Sequence, residues 1–184
     1  MHNSIKYTGT FSGITVRAMH ALGEQSGSAS KLSSSGLGLA YDGGPFAATL
    51  AYGQFKTATD LSLKGYVGGV SAKLGSGKLN LTYGKHTADT TATAKTTNKT
   101  LGLGGTVALS LSMDLILAHY RVDRARSGST DDGYKRTVAF LEYKLSKRSL
   151  VYAEADSTNW KGNYAGTGLK GTGSGFSMGI KHTF

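Results

Sequence analysis

Hydrophobic and polar side chains alternate with a period of two along most of the chain. This period is typical of β-strands, and no stretch shows the 3.6-residue apolar spacing of an amphipathic helix. Glycine- and serine-rich positions interrupt the alternation and separate eleven segments of about seven to twelve residues. We therefore predict strands near residues 4–11, 14–22, 35–42, 46–56, 64–74, 78–87, 99–109, 114–124, 135–145, 149–157 and 174–184.

The connections between these strands alternate in length along the chain. The short ones, such as Ser12-Gly13 and Gly75-Ser76-Gly77, have glycine where a tight hairpin turn needs a positive φ angle. The long ones, such as GEQSGSASKLSSS, TADTTATAKTTNK and RARSGSTDDGY, are rich in serine, threonine, glycine and charge. In an antiparallel meander this order places the short turns at one end of the sheet and the long loops at the other. That is the layout of a transmembrane β-barrel with short periplasmic turns and long extracellular loops.

The two sides of each predicted strand differ in chemistry. Near 99–109, one side carries Leu101, Leu103, Val107 and Leu109, and the other carries Thr100, Gly102, Gly104 and Thr106. Four tyrosines, Tyr41, Tyr52, Tyr83 and Tyr143, fall on the apolar side close to a strand end, where an interfacial aromatic girdle belongs. We therefore expect the apolar side to meet lipid and the small, charged side to meet water. A closed barrel is the sheet in which every backbone group within hydrocarbon is paired.

The composition is compatible with an all-β envelope protein. The chain has 184 residues with 27 glycines, one proline and no cysteine. The length suits one domain, and we assign residues 1–184 to a single transmembrane β-barrel domain of about ten to twelve strands. An absence of thiols agrees with an oxidising compartment without proving one. No apolar run reaches the roughly 18 residues of a transmembrane helix.

The chain is basic, with a formal net charge of +10 from 21 Lys and Arg against 11 Asp and Glu. The basic residues are spread along the chain and accompany no nucleic-acid-binding motif, so we expect no nucleic-acid partner. No nucleophile–histidine–acid set and no metal-ligand spacing stands out, and GSGK at 75–78 lacks the remainder of a phosphate-binding loop. We therefore expect no enzymatic activity, no metal and no cofactor.

Four stretches resemble one known family: NSIKYTGTFSGITVRAMHALGE, GLGLAYDGGPFAATLAYGQF, YKLSKRSLVYAEAD and GFSMGIKHTF. Together they are similar to the general, trimeric porins of Gram-negative outer membranes. The resemblance implies an outer-membrane location, a passive diffusion channel and a homotrimer. It also implies that Phe184, supported by Met178 and Ile180, is read by the barrel assembly machinery.

The chain departs from that family in size, because such porins have sixteen strands and this chain resembles roughly the last eleven. An odd number of strands would place the first and last strands parallel if the sheet closed on itself. Two architectures remain open: a smaller closed barrel, or a partial barrel whose edges need a partner.

The side of the strands opposite the apolar one is the candidate pore lining. We assign to it the cations Lys6, Arg17, Lys73, Lys78, Arg121, Arg136, Lys144 and Lys181 and the acids Asp123, Glu142, Glu154 and Asp156. Because cations outnumber anions there, we expect the pore to favour anions, an effect that weakens with salt. Lys6 and Arg17 are expected to face each other on neighbouring strands. The alternative for any one of these residues is that it pairs with an acid and only braces the wall.

Two function classes remain. The first is a porin channel for small hydrophilic solutes with anion preference. The second is a small structural or adhesive outer-membrane barrel with a plugged lumen. Inward glycines favour an open lumen, whereas inward Phe140, Tyr152 and Leu117 would fill it in part.

Overall fold

The protein is an all-β chain, seen here in a computed structural model that describes residues 3–166 and 168–184. The strands are β1 (Ser4–Phe11), β2 (Ile14–Ala21), β3 (Ser34–Gly43), β4 (Phe46–Lys56), β5 (Ser62–Leu74), β6 (Gly77–Asp89), β7 (Lys95–Ala108), β8 (Met113–Arg126), β9 (Ser129–Lys144), β10 (Ser149–Lys161) and β11 (Thr172–His182). All eleven predicted strands are confirmed.

The strands form one antiparallel sheet in chain order, each pairing with its sequence neighbours. One register shift, between Arg124 and Arg126, interrupts the ladder of β8 and β9. Such a bulge bends and twists the strand at its outer end. The antiparallel meander expected from the alternation is therefore confirmed.

The connections at the two ends of the sheet differ less than the sequence indicates. The end at residues 12–13, 44–45, 75–76, 109–112 and 145–148 has the tight turns, with positive φ at Gly13, Gly44 and Gly75. At the other end, 22–33 and 162–171 are long, but 127–128 is a tight turn.

The prediction of long loops at residues 87–99 and 124–134 was wrong. Strands β6 to β9 continue through most of both stretches, and only 90–94 and 127–128 lie between them. Threonine and charged residues can form strands in both stretches, because a strand that extends beyond the membrane needs no apolar side chains on either face.

The register sorts the sheet into two faces. Val70 lies opposite Leu81, Leu81 opposite Leu103, and Leu103 opposite His119, so these residues share a side that we call the apolar face. Lys6 and Arg17 lie on the other side, the polar face. The tyrosines Tyr41, Tyr52, Tyr83 and Tyr143 all fall on the apolar face, as the alternation predicts.

The apolar face carries most of the large hydrophobic side chains and leaves them uncovered within the chain. Val70 is 54% exposed, Leu103 56% and Ile180 67%. Among the described residues, the buried apolar core consists of Ala21 and Val122. An exposed apolar area this large marks an interaction surface. The sheet therefore needs an apolar medium on this side.

In each of the strands β5 to β9 the run of uncharged apolar-face positions that starts at the tight turns ends at a lysine or arginine towards the outer loops. The last uncharged residues of these runs are Tyr66, Tyr83, Leu101, His119 and Thr137. We call the apolar-face residues from the tight turns up to these five the apolar band.

The sheet has two open edges. Within the described part of the chain, β1 pairs only with β2, and β11 pairs only with β10. The eleven strands therefore do not close through a β1–β11 ladder, and of the two architectures left open by the sequence, the partial barrel is the one observed. Across residues 3–166 and 168–184, no helix is long and apolar enough to span a bilayer.

Candidate functional site on the polar face

The polar face of β1 and β2 carries two exposed cations. Lys6 lies opposite Met19 and Arg17 lies opposite Thr8, so the two cations are diagonal neighbours on one side of the sheet. The expectation that they face each other directly was wrong by one diagonal step. Gly38 of β3 lies directly opposite Arg17 and, as a glycine, has no side chain that could contact the guanidinium. Neither cation has an ion pair among the described residues.

A second pair of cations lies near the tight turns of β5 and β6. Lys73 and Lys78 are directly opposite each other on the polar face, and both are exposed. Like charges at this separation repel, so the pair favours an arrangement in which water or anions lie between them. Lys181 of β11, opposite Leu150, lies on the same face near the same end.

The polar face of β8 to β10 is braced by ion pairs. Arg136 Nη2 lies 3.3 Å from Asp156 Oδ1, and Lys144 Nζ lies 2.6 Å from Asp114 Oδ2. Both acids are largely buried and both bases are about half exposed. The bracing alternative therefore describes Arg136 and Lys144, although Lys144 pairs with Asp114 and not with Glu142 or Glu154.

Two aromatic rings lie on the polar face between these ion pairs. Phe140 and Tyr152 stack with ring centroids 5.1 Å apart. Tyr152 lies against Gly179 of β11, where a β-carbon would come within 2.6 Å of the tyrosine oxygen. The expectation that Phe140 and Tyr152 narrow this side of the wall agrees with their position. Leu117 is on the apolar face, so its assignment as a lumen residue was wrong.

Arg121 and Asp123 are not on the polar face, contrary to the sequence-based assignment. The register places Arg121 opposite Leu101 and Lys135, all on the apolar face. Arg121 Nε donates to Asp123 Oδ2 at 2.9 Å on that face. The alternation was ambiguous because β8 has apolar residues on both sides at its lower end. The charges of Arg121 and Asp123 are tolerated because both lie above the apolar band.

The outer end of the polar face holds a network around Asp132 that the sequence did not reveal. Arg124 lies opposite Asp132 and donates to its Oδ2 at 3.1 Å, and Arg126 donates to the same oxygen. The backbone N–H of Asn163 donates to Oδ1 at 2.8 Å. Asp132 is only 3% exposed. Its carboxylate thus connects the start of segment 162–171 to the β8–β9 hairpin by hydrogen bonds.

The same segment is held by stacking contacts. The Arg124 guanidinium lies 4.1 Å from the centroid of the Tyr164 ring, and Tyr164 meets Tyr134 edge-on at 5.2 Å. Gly162 has a φ of 62°, and a β-carbon there would come within 2.5 Å of Asp132 Oδ1. Glycine is therefore required where the chain turns over the carboxylate.

The environment of Asp132 lowers the pKa of its carboxyl group. The largest cause is the hydrogen bond from the Asn163 N–H. Burial opposes it, and the hydrogen bonds from Arg124 and Arg126 add to the lowering. Asp132 lies beyond Lys135 and so outside the apolar band. The adjacent Asp131, by contrast, is exposed. The sequence could have indicated the face of Asp132, because Asp132, Tyr134 and Arg136 are spaced two residues apart and so lie on the same side of one strand. That inference requires β9 to extend as far as Asp132, which the sequence analysis did not predict.

The two faces define a class of protein. A sheet with a lipid-type outer surface, a charged opposite surface and, among the described residues, a buried apolar core of only Ala21 and Val122 is the wall of a transmembrane β-barrel. Solved barrels show the same fold. OmpT, an outer membrane protein of Vibrio cholerae, superposes with a TM-score of 0.76 at 15% identity, over 97% of this chain and 63% of that one. An anion-selective porin from Comamonas acidovorans superposes with a TM-score of 0.78 at 21% identity, over 98% and 59%. A porin refined at 1.8 Å gives 0.72 at 15% identity, over 97% and 60%.

The sequence model of the Gram-negative porin family matches residues 1–163. The chain belongs to the Gram-negative porin family, and its place is the outer membrane. It spans about three fifths of the length of the solved structures described above. Among curated protein sequences, none matches the chain.

Proposed function

We propose that the chain forms part of a water-filled outer-membrane channel for passive diffusion of small hydrophilic solutes, with a preference for anions. The polar face lines the pore in this proposal, and lipid covers the apolar face. The observation that carries it is the unequal distribution of side chains over the two faces. Most of the large exposed hydrophobic side chains lie on the apolar face, whereas Lys6, Arg17, Lys73, Lys78 and Lys181 lie on the polar face. The channel performs no chemistry and takes no cofactor.

The anion preference rests on the balance of charge along the polar face. The cations on that face without an ion pair among the described residues are Lys6, Arg17, Lys73, Lys78 and Lys181, and the corresponding acids are Asp42, Glu142 and Glu154. An excess of fixed positive charge lowers the energy of an anion in a narrow aqueous pore and raises that of a cation. The porin from Comamonas acidovorans, which has the same fold, is anion-selective, and this supports the same sign.

The open edges bear on how the pore is completed. Backbone donors and acceptors along β1 and β11 would be unsatisfied in hydrocarbon, which is unfavourable by several kcal/mol per group, so we propose that further strands pair with both edges. Residues 1–184 would then be one domain that contributes a section of a larger barrel. A homotrimer is proposed as well, since one OmpT structure from Vibrio cholerae is described as a trimer form.

Membrane assembly is proposed to depend on Phe184. Its ring meets His182 edge-on at 4.8 Å, and its side chain is fully exposed, so it is available to the barrel assembly machinery. Met178 and Ile180 continue the same apolar face above it.

The double variant Lys6→Glu with Arg17→Glu tests the pore assignment. We expect the ion preference to shift from anions towards cations by roughly tenfold in permeability ratio, which corresponds to about 1.4 kcal/mol in relative ion energy. The measurement is the reversal potential in planar bilayers across a potassium chloride gradient, at low and high salt.

The matched control is Lys147→Glu with Arg148→Glu, which makes the same change of charge in the turn 145–148. That variant should leave the reversal potential close to that of the unaltered protein. Equal shifts in both variants would show a general effect of net charge, and no shift in either would remove Lys6 and Arg17 from the pore wall.

A second candidate function is a structural or adhesive barrel with a filled lumen. The Phe140–Tyr152 stack and the network around Asp132 favour it, because both add bulk to the polar face. Single-channel recording separates the two functions, since a folded protein that inserts without conductance steps fits the second candidate alone.

A further inference from the structure

The polar face carries an apolar patch that the channel proposal does not use. The patch lies on β2 to β6 towards the outer loops, and the side chains around it are Met19, Phe55, Leu63, Val67 and His86. Leu63 is 47% exposed and Val67 is 45% exposed, although both lie on the opposite side of the sheet from the apolar band. Hydrophobic side chains that are exposed together on a face assigned to water indicate a binding surface.

Three glycines form the floor of this patch. Gly36, Gly53 and Gly65 lie directly opposite one another on β3, β4 and β5. A β-carbon on Gly36 would lie 3.6 Å from its nearest neighbour and one on Gly53 would lie 3.9 Å away, so the sheet is bare at both positions. A β-carbon on Gly65 would come within 2.6 Å of the His86 ring, so this ring covers the third glycine. Floor and walls enclose a recess of about 390 Å³, which we call the inner recess.

The inner recess suits the apolar part of a small molecule. Sites for small molecules typically have volumes of about 300–1,000 Å³ and mainly apolar walls. Glycine within a strand often marks a position where a ligand approaches the backbone closely. Because Gly36 and Gly53 place no side chain over the sheet, an aromatic ring can lie flat on the backbone there, between Met19 and the His86 ring.

Two cations lie beside Met19, at the edge of the inner recess. Lys6 lies directly opposite Met19, and Arg17 precedes it by two residues on the same side of β2. Directly opposed Cβ atoms are about 4.5–5.5 Å apart, and residues two positions apart in a strand are separated by about 7 Å, so both cations can reach an anion at this edge. Neither has an ion pair among the described residues, and the described residues that line the recess include no acid.

We propose that the inner recess binds small carboxylates with an apolar body, such as arylacetates, as they pass through the pore. The ring lies on the floor over Gly36 and Gly53. The carboxylate accepts hydrogen bonds from Arg17 and Lys6, because a guanidinium can bind a carboxylate with two parallel, charge-assisted hydrogen bonds. Removal of the ring from water adds to the affinity. The channel thus distinguishes among anions as well as between anions and cations.

Three probes separate the two parts of this site. Phenylacetate has both the ring and the carboxylate, acetate lacks the ring, and phenylethanol lacks the charge. The protein is extracted from native outer membranes into deuterated zwitterionic detergent, and binding is measured by saturation-transfer NMR at low salt, with the detergent alone as a blank. We expect the unaltered protein to bind phenylacetate roughly tenfold more tightly than either of the other two probes.

The recess variant, Gly36→Val with Gly53→Val, fills the floor without a change of charge. Neither glycine has a positive φ, so valine is compatible with both strands. The matched control is Ala47→Val with Ser71→Val, which alters another directly opposed pair on the polar face, nearer the tight turns. We expect the recess variant to bind phenylacetate roughly tenfold more weakly, because the ring loses its place on the sheet, and the control to bind it as the unaltered protein does.

The variant Lys6→Gln with Arg17→Gln tests the anionic half of the site and leaves the recess unfilled. Its phenylacetate binding should fall to the level of phenylethanol, whose own binding should not change, because only the carboxylate contacts the two cations. Added salt should weaken phenylacetate binding to the unaltered protein and have little effect on phenylethanol.

Equal phenylacetate binding by the recess variant and its control would overturn the proposal. Equal binding of phenylacetate and acetate would show a plain anion site, and equal binding of phenylacetate and phenylethanol a purely apolar one, and either result contradicts the assignment. A native preparation that binds no phenylacetate would mean that another part of the complete barrel fills the recess, which contradicts it as well.

Binding at the inner recess requires that the polar face meet water, as the proposed function has it, but it requires no ion conduction. A barrel that binds phenylacetate with the expected preferences and gives no conductance steps would support this site while it contradicts the channel. A barrel that conducts ions and shows no preference among the three probes would contradict this site alone.

Discussion

At the scale of single residues, Asp132 combines deep burial with three donors from two separate parts of the chain. The β8–β9 hairpin supplies Arg124 and Arg126, and the segment after β10 supplies the Asn163 N–H. A carboxylate that loses its donors while it remains buried is strongly unfavourable, so these contacts act together. The position of segment 162–171 at the mouth therefore depends on one charge.

The variant Asp132→Asn should release the start of segment 162–171. We expect amide hydrogen exchange at Asn163 and Tyr164 to become roughly tenfold faster, because a charge-assisted acceptor is lost. The control is Asp131→Asn, which alters the adjacent, exposed carboxylate that pairs with Lys161. If the control loosened the segment as much as Asp132→Asn, the burial of Asp132 would have no special role.

The lowered pKa of Asp132 sets the direction of a pH effect. A group with a lowered pKa in the folded state stabilises that state fully above its ordinary value of 3.8, and this contribution is lost as the pH falls through the lowered pKa. The protection factor of the Asn163 amide, which compares its exchange rate with the intrinsic rate at the same pH, should therefore be constant from neutral pH down to about 5 and fall only below 3.8. A loss of protection already complete at about pH 5 would contradict this assignment.

At the scale of strands, alternation determines which substitutions the wall accepts. Leu81 and Asn80 are neighbours on β6 that lie on opposite faces, with Leu81 between Val70 and Leu103 in the middle of the apolar band. Leu81→Lys should lower the free energy of unfolding by about 2–4 kcal/mol, the usual effect of a lysine facing lipid at mid-depth. Asn80→Lys should have little effect on stability, since it adds one more cation to the polar face.

Urea unfolding from lipid vesicles, followed by the fluorescence of the single tryptophan, Trp160, measures both variants. Equal destabilisation by the two substitutions would mean that both faces of β6 lie in the same medium. That result would remove the basis for the two-faced wall.

Much of this element-level structure could be predicted from the sequence. The strand starts and tight turns follow from glycine positions and two-residue periodicity, and these need no long-range information. The face of Arg121 could not be predicted, because Leu115, Ile116 and Leu117 place apolar residues on both sides of β8. The Asp132 network could not be predicted either, since it joins residues about thirty positions apart through a segment without periodicity.

At the scale of the whole molecule, the two unpaired edges, β1 and β11, are the feature that most limits the stability of the isolated chain. Edge strands with free donors and acceptors invite pairing with other strands. In the isolated chain in detergent, we expect the amides of β1 and β11 to exchange faster than those of β5 to β7. In native outer membranes, where the proposal has further strands on both edges, those amides should be protected to a similar degree.

Hydrogen exchange with mass spectrometry on both preparations measures the difference. Protection of β1 and β11 in the isolated chain equal to that of the central strands would indicate that the edges have closed or paired in detergent. Fast exchange of both edges in native membranes would instead contradict the proposal of additional strands.

The tight turn at residues 127–128 has a consequence for surface display. Because β8 and β9 remain paired almost to their tips, a foreign peptide inserted between Ser127 and Gly128 would separate the ladder that holds Arg124 opposite Asp132. Segment 22–33 is far longer and joins β2 to β3 without a continuous ladder of its own. Segment 22–33 is therefore a better insertion site for an epitope displayed on the cell surface than the β8–β9 hairpin, whose strands stay paired almost to the turn.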